Sequence, residues 1–255
     1  MTDTSSSAQL VTLQGLNAIE GGRKSNHVYC DLKRRMVLGE LTGSSILTEQ
    51  AIAQDYSCSQ GTVREALLRL EQDGLVDRKG YQGTYVTQLS EAEAEAFVRL
   101  RLELECAAID RAARRLDPDV RQFLTRSAEE YRMVQASGDI YNMVLLDRAF
   151  HMRLFEQADM PNLMPMLSRI LLQLHRYTIS QRRGQDLWRD LRPDPHREII
   201  EALEDGDPVM CQLRMREHIM SNIRTFAPLM FQRIFGEDLS LVLSSPAPAF
   251  ALDPH

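Results

Sequence analysis

From Ser90 onward the chain repeats apolar residues at three- and four-residue spacing, with no strand-like alternation, and the pattern is cut at Asp117-Pro118, Met160-Pro161, Asp194-Pro195 and Asp207-Pro208. A proline breaks a helix from within. At the first helical position its missing N–H costs nothing, and an aspartate just before it can accept from the exposed amides of the first turn. Three of the four breaks have that Asp-Pro form, so each is expected to start a helix as well as end one. The reading is six helices near residues 91–115, 118–136, 139–158, 161–183, 195–205 and 208–235. Over about 145 residues they are expected to form an antiparallel bundle with its own core.

The first third reads differently. Val28, Leu32, Arg35 and Met36 trace one helical stripe that ends at Gly39, and a short helix follows Thr48 through Ala51, Ile52 and Ala53. After a tight Tyr56-Ser57-Cys58 turn, Ser59 is a candidate cap for a third helix with Val63, Ala66, Leu67 and Leu70 on its core face, stopped by Gly74. Leu75-Val76 then read as a short strand and the glycine-tipped stretch Arg78 to Val86 as a hairpin. Helix, helix, turn, helix, hairpin is the order of a winged helix-turn-helix. The expected organisation is therefore mostly α: a mobile tail over 1–26, a winged helix-turn-helix over 27–89, an all-helical domain over 90–235 and a Pro/Ala-rich tail over 236–255.

No apolar run approaches the ~20 residues of a membrane helix, and the N-terminus lacks a basic start followed by an apolar stretch, so a cytoplasmic protein is expected. Cys30, Cys58, Cys106 and Cys211 lack metal-type spacing and carry no functional expectation. The net charge of −6 excludes a general polyanion-coating role. Residues 27–89 hold seven basic against eight acidic side chains, a net of −1. Any nucleic-acid contact must come from placement, not from bulk charge.

Ser57 to Val76, SCSQGTVREALLRLEQDGLV, could be an ordinary capped surface helix. In a helix-turn-helix, however, the second helix meets the major groove with its N-terminal end, which needs short or donor-rich side chains near base edges and phosphate. Ser59, Gln60, Gly61, Thr62 and Arg64 fit that need. Residues 28–89 resemble the DNA-binding domain of the GntR family of bacterial transcription regulators through Cys58-Ser59-Gln60-Gly61-Thr62-Val63-Arg64-Glu65-Ala66-Leu67, then Leu70 to Val76 and Gly83. Three departures stand out. Ser57 replaces the Gly common in the turn, Thr62 the usual Pro, and Gln60 an Arg that in the family touches DNA. Gln pairs best with adenine where Arg reads guanine, so the operator is expected to differ at the base facing Gln60. Arg64 is the expected phosphate or base contact, Arg69 a weaker candidate, and Gly83 either a simple turn or a close approach of the wing to the minor groove.

In the helical half, Asp147 and His151 lie one turn apart beside the stripe Ile140, Met143, Val144, Phe150, Leu154 and Phe155. A hydrogen-bonded Asp-His pair inside the bundle accounts for those two alone. His196 and His218 occupy similar inward positions on other helices, and three imidazoles with one carboxylate also make a ligand set for a divalent first-row metal. Residues 91 to about 232 resemble the FCD effector domain of the FadR subfamily: Arg101-x-x-x-Glu105 then Ala112-Ala113, Asp147-x-x-x-His151, His196 ahead of Ile199-Ile200-x-Ala202-Leu203-x-x-Gly206-Asp207, and His218 all match its pattern. The resemblance implies a metal, zinc or nickel, on Asp147, His151, His196 and His218, completed by a small carboxylate. Arg101 is the expected anchor of that anion, the alternative being an ion pair with Glu105. His175 has no motif match and reads as a core histidine.

The expected function is a DNA-binding transcription regulator, a repressor and homodimer on a pseudo-palindromic double-stranded operator, controlled by a small organic acid. A metal-responsive regulator, or a metal-dependent enzyme fused to a DNA-binding module, are the other classes these residues admit. No residue in the bundle is marked by motif or spacing as a general base, which favours a regulator over an enzyme.

Overall fold

The computed structural model describes residues 24–78, 83–181 and 195–236. Of the tails expected over 1–26 and 236–255, residues 1–23 and 237–255 lie outside these residues, as does the wing tip.

Ten α-helices and three short strands make up the described chain. Helix α1 spans Lys24–Val37 and so begins three residues inside the tail expected over 1–26. Strand β1 (Ile46–Leu47) leads into α2 (Glu49–Asp55), whose cap Thr48 accepts from the Ala51 amide. Helix α3 (Gln60–Gln72) begins at Ser59, which accepts from the Thr62 amide at 3.1 Å. It ends in a paired reverse bond, Leu75 N to Leu70 O and Gly74 N to Glu71 O, with Gly74 at φ 73°. That conformation is why a glycine stands there. Strands β2 (Val76–Arg78) and β3 (Thr84–Val86) form the expected hairpin. The unexpected β1 adds a third antiparallel strand in the order β1-β3-β2, with Ile46 opposite Tyr85 and Val76 opposite Val86.

The helical half holds α4 (Glu91–Ala113), α5 (Pro118–Ser137), α6 (Ile140–Gln157), α7 (Met164–Gln181), α8 (Arg197–Asp205), α9 (Pro208–Phe226) and α10 (Pro228–Phe235). Asp117 and Asp207 cap α5 and α9 as their Asp-Pro signals require. Three expectations need correction. The helix expected over 208–235 is two helices, because Pro228 cannot donate and Ala227 turns out of the helical region at φ −140°. The helix expected from 161 opens with a 3-10 turn over Pro161–Leu163. The helix expected from 195 starts at Arg197 with His196 as its uncapped N-cap residue, while Asp194 is outside the described residues. The bundle thus has seven helices among the described residues, not six.

Two large cores result. Ala94, Val98, Ile109, Phe150, Leu154, Ile199, Met215 and Ile219 belong to the bundle's own core. The other begins in the winged helix with Val28, Leu32, Met36, Val63, Leu67 and Leu70. It continues without a break into Tyr131, Val134, Tyr141, Leu145, Leu172 and Ile179 of α5, α6 and α7. The small domain is therefore packed onto the bundle. Among the described residues no helix is long and apolar enough to cross a membrane.

Candidate functional site

The bundle brings Asp147, His151, His196 and His218 together. All four are buried, and one ligand atom from each lies within 4.8 Å of the others. The i, i+4 spacing on α6 puts Asp147 and His151 on one face, α9 delivers His218, and the chain entering α8 delivers His196. Phe150 stacks on the His196 ring at 4.1 Å between centroids, and Tyr131 meets it edge-on at 5.4 Å, so that ring is held by apolar walls.

The surrounding hydrogen bonds fix which imidazole nitrogens are exposed to the centre. His218 Nδ1 donates to the Pro195 carbonyl at 3.0 Å, and His151 Nδ1 donates to the Glu105 carboxylate. Arg101 Nη2 and Asn222 Nδ2, which can only donate, face the two Nε2 atoms, so both Nε2 atoms accept, and they lie 3.1 Å apart. Two lone pairs facing each other at that distance repel unless a cation stands between them, and one ion can bond both at ~2.0–2.1 Å. The residues present fit a divalent metal. Outer partners that orient metal-binding imidazoles are a general feature of such centres, and Glu105 and the Pro195 carbonyl occupy that place here.

Burial and the neighbouring His196 and His151 hold His218 well below the usual imidazole range, so its ring is neutral. Burial pushes the Asp147 carboxyl up, but His151 and the hydrogen bonds from His175 and His196 outweigh it and leave it well below the usual carboxylate range. His196 Nε2 donates to Asp147 Oδ1 at 3.1 Å and His175 Nε2 to Oδ2 at 2.8 Å. His175, read from sequence as a core histidine, thus touches the site through Asp147.

Arg101 is buried and forms the ion pair with Glu105 that was its alternative reading. Its Nε donates to Glu105 at 2.5 Å, and its Nη2 donates to His151 Nε2 at 3.0 Å, at the edge of the centre. Burial raises the Glu105 carboxyl, yet His151 and then Arg101 prevail and hold it at about 2. Asn222, a turn beyond His218, donates to His218 Nε2 at 3.2 Å. Its i, i+4 relation to His218 was visible in the sequence, but nothing marked it as a donor into the site. A cavity of about 300 Å³ opens beside the centre, lined by Tyr131, Pro195, Glu198, Arg214, His218 and Asn222 among others.

In the small domain, Gln60, Gly61 and Arg64 are exposed at the start of α3, and Thr62 is half-buried with its hydroxyl 2.9 Å from that of Ser59. The Arg64 fork is engaged by Glu49 of α2, at 3.0 Å from Nε and 2.6 Å from Nη2, and Arg78 reaches the same carboxylate at 3.4 Å. Arg69 is used internally: its guanidinium lies 3.8 Å over the Tyr29 ring and donates to Asn26. Gly83, at φ 100°, takes a left-handed conformation at the start of β3. Ser57 takes φ 48° in the turn between α2 and α3.

Comparison with known proteins follows the same division. The model for "Bacterial regulatory proteins, gntR family" matches residues 24–86, and that for the FCD domain matches residues 96–221. The HTH-type transcriptional regulator McbR of Escherichia coli K12 is 26% identical over 144 residues, 56% of this chain and 65% of McbR. A probable D-xylose utilization operon transcriptional repressor of Paenarthrobacter nicotinovorans is 28% identical over 181 residues, 71% of this chain and 79% of that one. The solved structure of E. coli McbR/YncC, 24% identical, aligns with a TM-score of 0.66 over 84% of this chain and 99% of its own, which shows the shared fold. With its helix-turn-helix and its helical half each matched in turn, the chain belongs to the GntR family of bacterial regulatory proteins, as a member that carries an FCD domain.

Proposed function

We propose that this transcription regulator binds a pseudo-palindromic operator as a homodimer and represses. In this reading a small carboxylate controls it, binding at a zinc or nickel ion held by Asp147, His151, His196 and His218. The observation that carries the metal is the pair of inward-facing Nε2 atoms of His151 and His218, 3.1 Å apart. The ion would supply a positive charge to which an anionic effector can bind. Arg101 Nη2 and Asn222 Nδ2 now donate to those same two nitrogens. An ion that takes the lone pairs leaves both donors without an acceptor, and carboxylate oxygens restore one to each. The 300 Å³ cavity at His218 suits a small acid.

DNA binding rests on the exposed first turn of α3, with Ser59, Gln60, Gly61, Thr62 and Arg64 toward the major groove and Gly83 in the wing. Arg69 supports the fold through Tyr29. A two-fold dimer sets two such helices on one operator. The test is a thermal-shift screen of small carboxylates against protein loaded with zinc, with nickel or with neither, followed by binding to DNA selected from a random pool. Release of that DNA by an acid, with metal retained, supports the reading. Release by chelation alone indicates a metal-responsive regulator, and turnover of the acid indicates an enzyme.

A further inference from the structure

Helix α7 touches the metal-type centre and the DNA-binding domain at once. On one side His175 Nε2 donates to Asp147 Oδ2 at 2.8 Å, and its buried Nδ1 has no hydrogen-bond partner among the described residues, so Asp147 orients the ring. On another side, Gln173 is buried and donates to the Gly74 carbonyl at 2.6 Å. Arg176 donates from Nη1 to the Thr87 hydroxyl at 3.2 Å and from Nη2 to the Thr87 carbonyl. Thr87 in turn donates to the Gly74 carbonyl at 2.7 Å. Arg169, a turn before Gln173, lies against Gly74 where any side chain would stand. Residues 169, 173 and 176 share one helical face, and residue 175 lies well round from it at about 100° per residue.

The two points gripped on the small domain are the end of the recognition helix and the exit of the wing. Gly74 is the left-handed residue that closes α3, and Thr87 follows β3 directly. Arg176 is also largely desolvated, which lowers its guanidinium to about 10 and leaves the Thr87 oxygens as its chief compensation.

We propose that α7 is the coupling element of the molecule, with His175 as a positioning residue that senses the state of Asp147 and with Gln173 and Arg176 as its grip on Gly74 and Thr87. Asp147 offers one oxygen to the centre and the other to His175. An ion that draws on the first shifts the carboxylate, and His175 carries the shift to the helix that holds the ends of α3 and β3. By linkage, whatever the DNA-binding domain feels from the ion, the ion feels from DNA. This rests on the metal reading above.

Hydrogen–deuterium exchange of the full chain, with and without zinc as the only added ligand, tests it together with calorimetric zinc binding. Expected for the wild type is a change of about fivefold or more in exchange of the amides at residues 74–78 and 84–87. Gln173→Leu with Arg176→Gln should keep zinc affinity and lose that response. His175→Leu should weaken zinc by ~10–100-fold and lose the response even at saturating zinc, while His175→Gln, which keeps a donor for Asp147, should restore both. Zinc binding with no change at 74–87, or a response that survives the Gln173/Arg176 double variant, overturns the coupling role and leaves the metal reading standing. Failure of the wild type to bind zinc overturns both.

Discussion

The Nε2 atoms of His151 and His218 lie 3.1 Å apart, each on a ring whose Nδ1 is committed elsewhere, to Glu105 and to the Pro195 carbonyl. Loss of either ring should abolish tight zinc or nickel binding, so His218→Ala is expected to lose it altogether. Glu105→Gln keeps an acceptor for His151 but not the charge, and should weaken binding by ~10–100-fold. Calorimetry with each metal measures both. A His218→Ala protein with wild-type metal affinity would show that the ion sits elsewhere.

Acid should destabilise the metal-free protein in two stages. His218 is held well below its ordinary 6.5, so as pH falls through that value the unfolded chain takes up a proton that the folded one refuses, and stability drops. Glu105, held at about 2 against an ordinary 4.5, contributes stability that is full above 4.5 and disappears as pH falls toward 2. The thermal midpoint in chelator should therefore begin to fall near pH 6.5 and fall again below 4.5. His218→Asn should remove the first stage and keep the second.

Gln60 is exposed at the first turn of α3, beside the cap Ser59. Selection from random DNA should return adenine at the base it faces, and Gln60→Arg should move that one position toward guanine. Identical half-sites from the two proteins would remove Gln60 from the base-reading set. Arg64→Ala should instead weaken binding to all sequences and lower the salt slope by about 0.9.

Ser57 holds φ 48° with a side chain, a conformation that costs ~1–2 kcal/mol for a residue with a Cβ. Ser57→Gly removes that cost and adds ~0.5–1 kcal/mol of backbone entropy. The net gain should be about 0.5–1 kcal/mol, a rise of roughly 1–4 °C in Tm at this size.

Local signals in the sequence translated directly. Ser59, Asp117 and Asp207 cap their helices because a cap needs only its own next three residues. The four clustered residues Asp147, His151, His196 and His218 were also legible, since inward position on a helix follows from spacing. What stayed hidden depends on distant partners. The Glu105–His151 bond spans 46 positions and the Gln173–Gly74 bond 99, and no periodicity encodes either. Strand β1 is two residues long, too short to alternate. Arg69 looked like a candidate for DNA because Tyr29 and Asn26, which engage it, lie on another helix. Pro228 was in plain sight, but the apolar stripe on either side ran on through it as if through one helix.

The carboxylate of Glu49 occupies the Arg64 fork in the free protein, with Arg78 at its flank. A phosphate arriving there finds no vacant cation; it gains the fork only by exchange, displacing an anion of similar shape. Such a contact returns little on a randomly encountered stretch of backbone and more where neighbouring contacts hold the phosphate in register. If Arg64 meets phosphate as proposed, Glu49 in a domain already short of positive charge would work as a threshold, lowering the affinity for DNA in general and leaving a larger share of binding to the sequence.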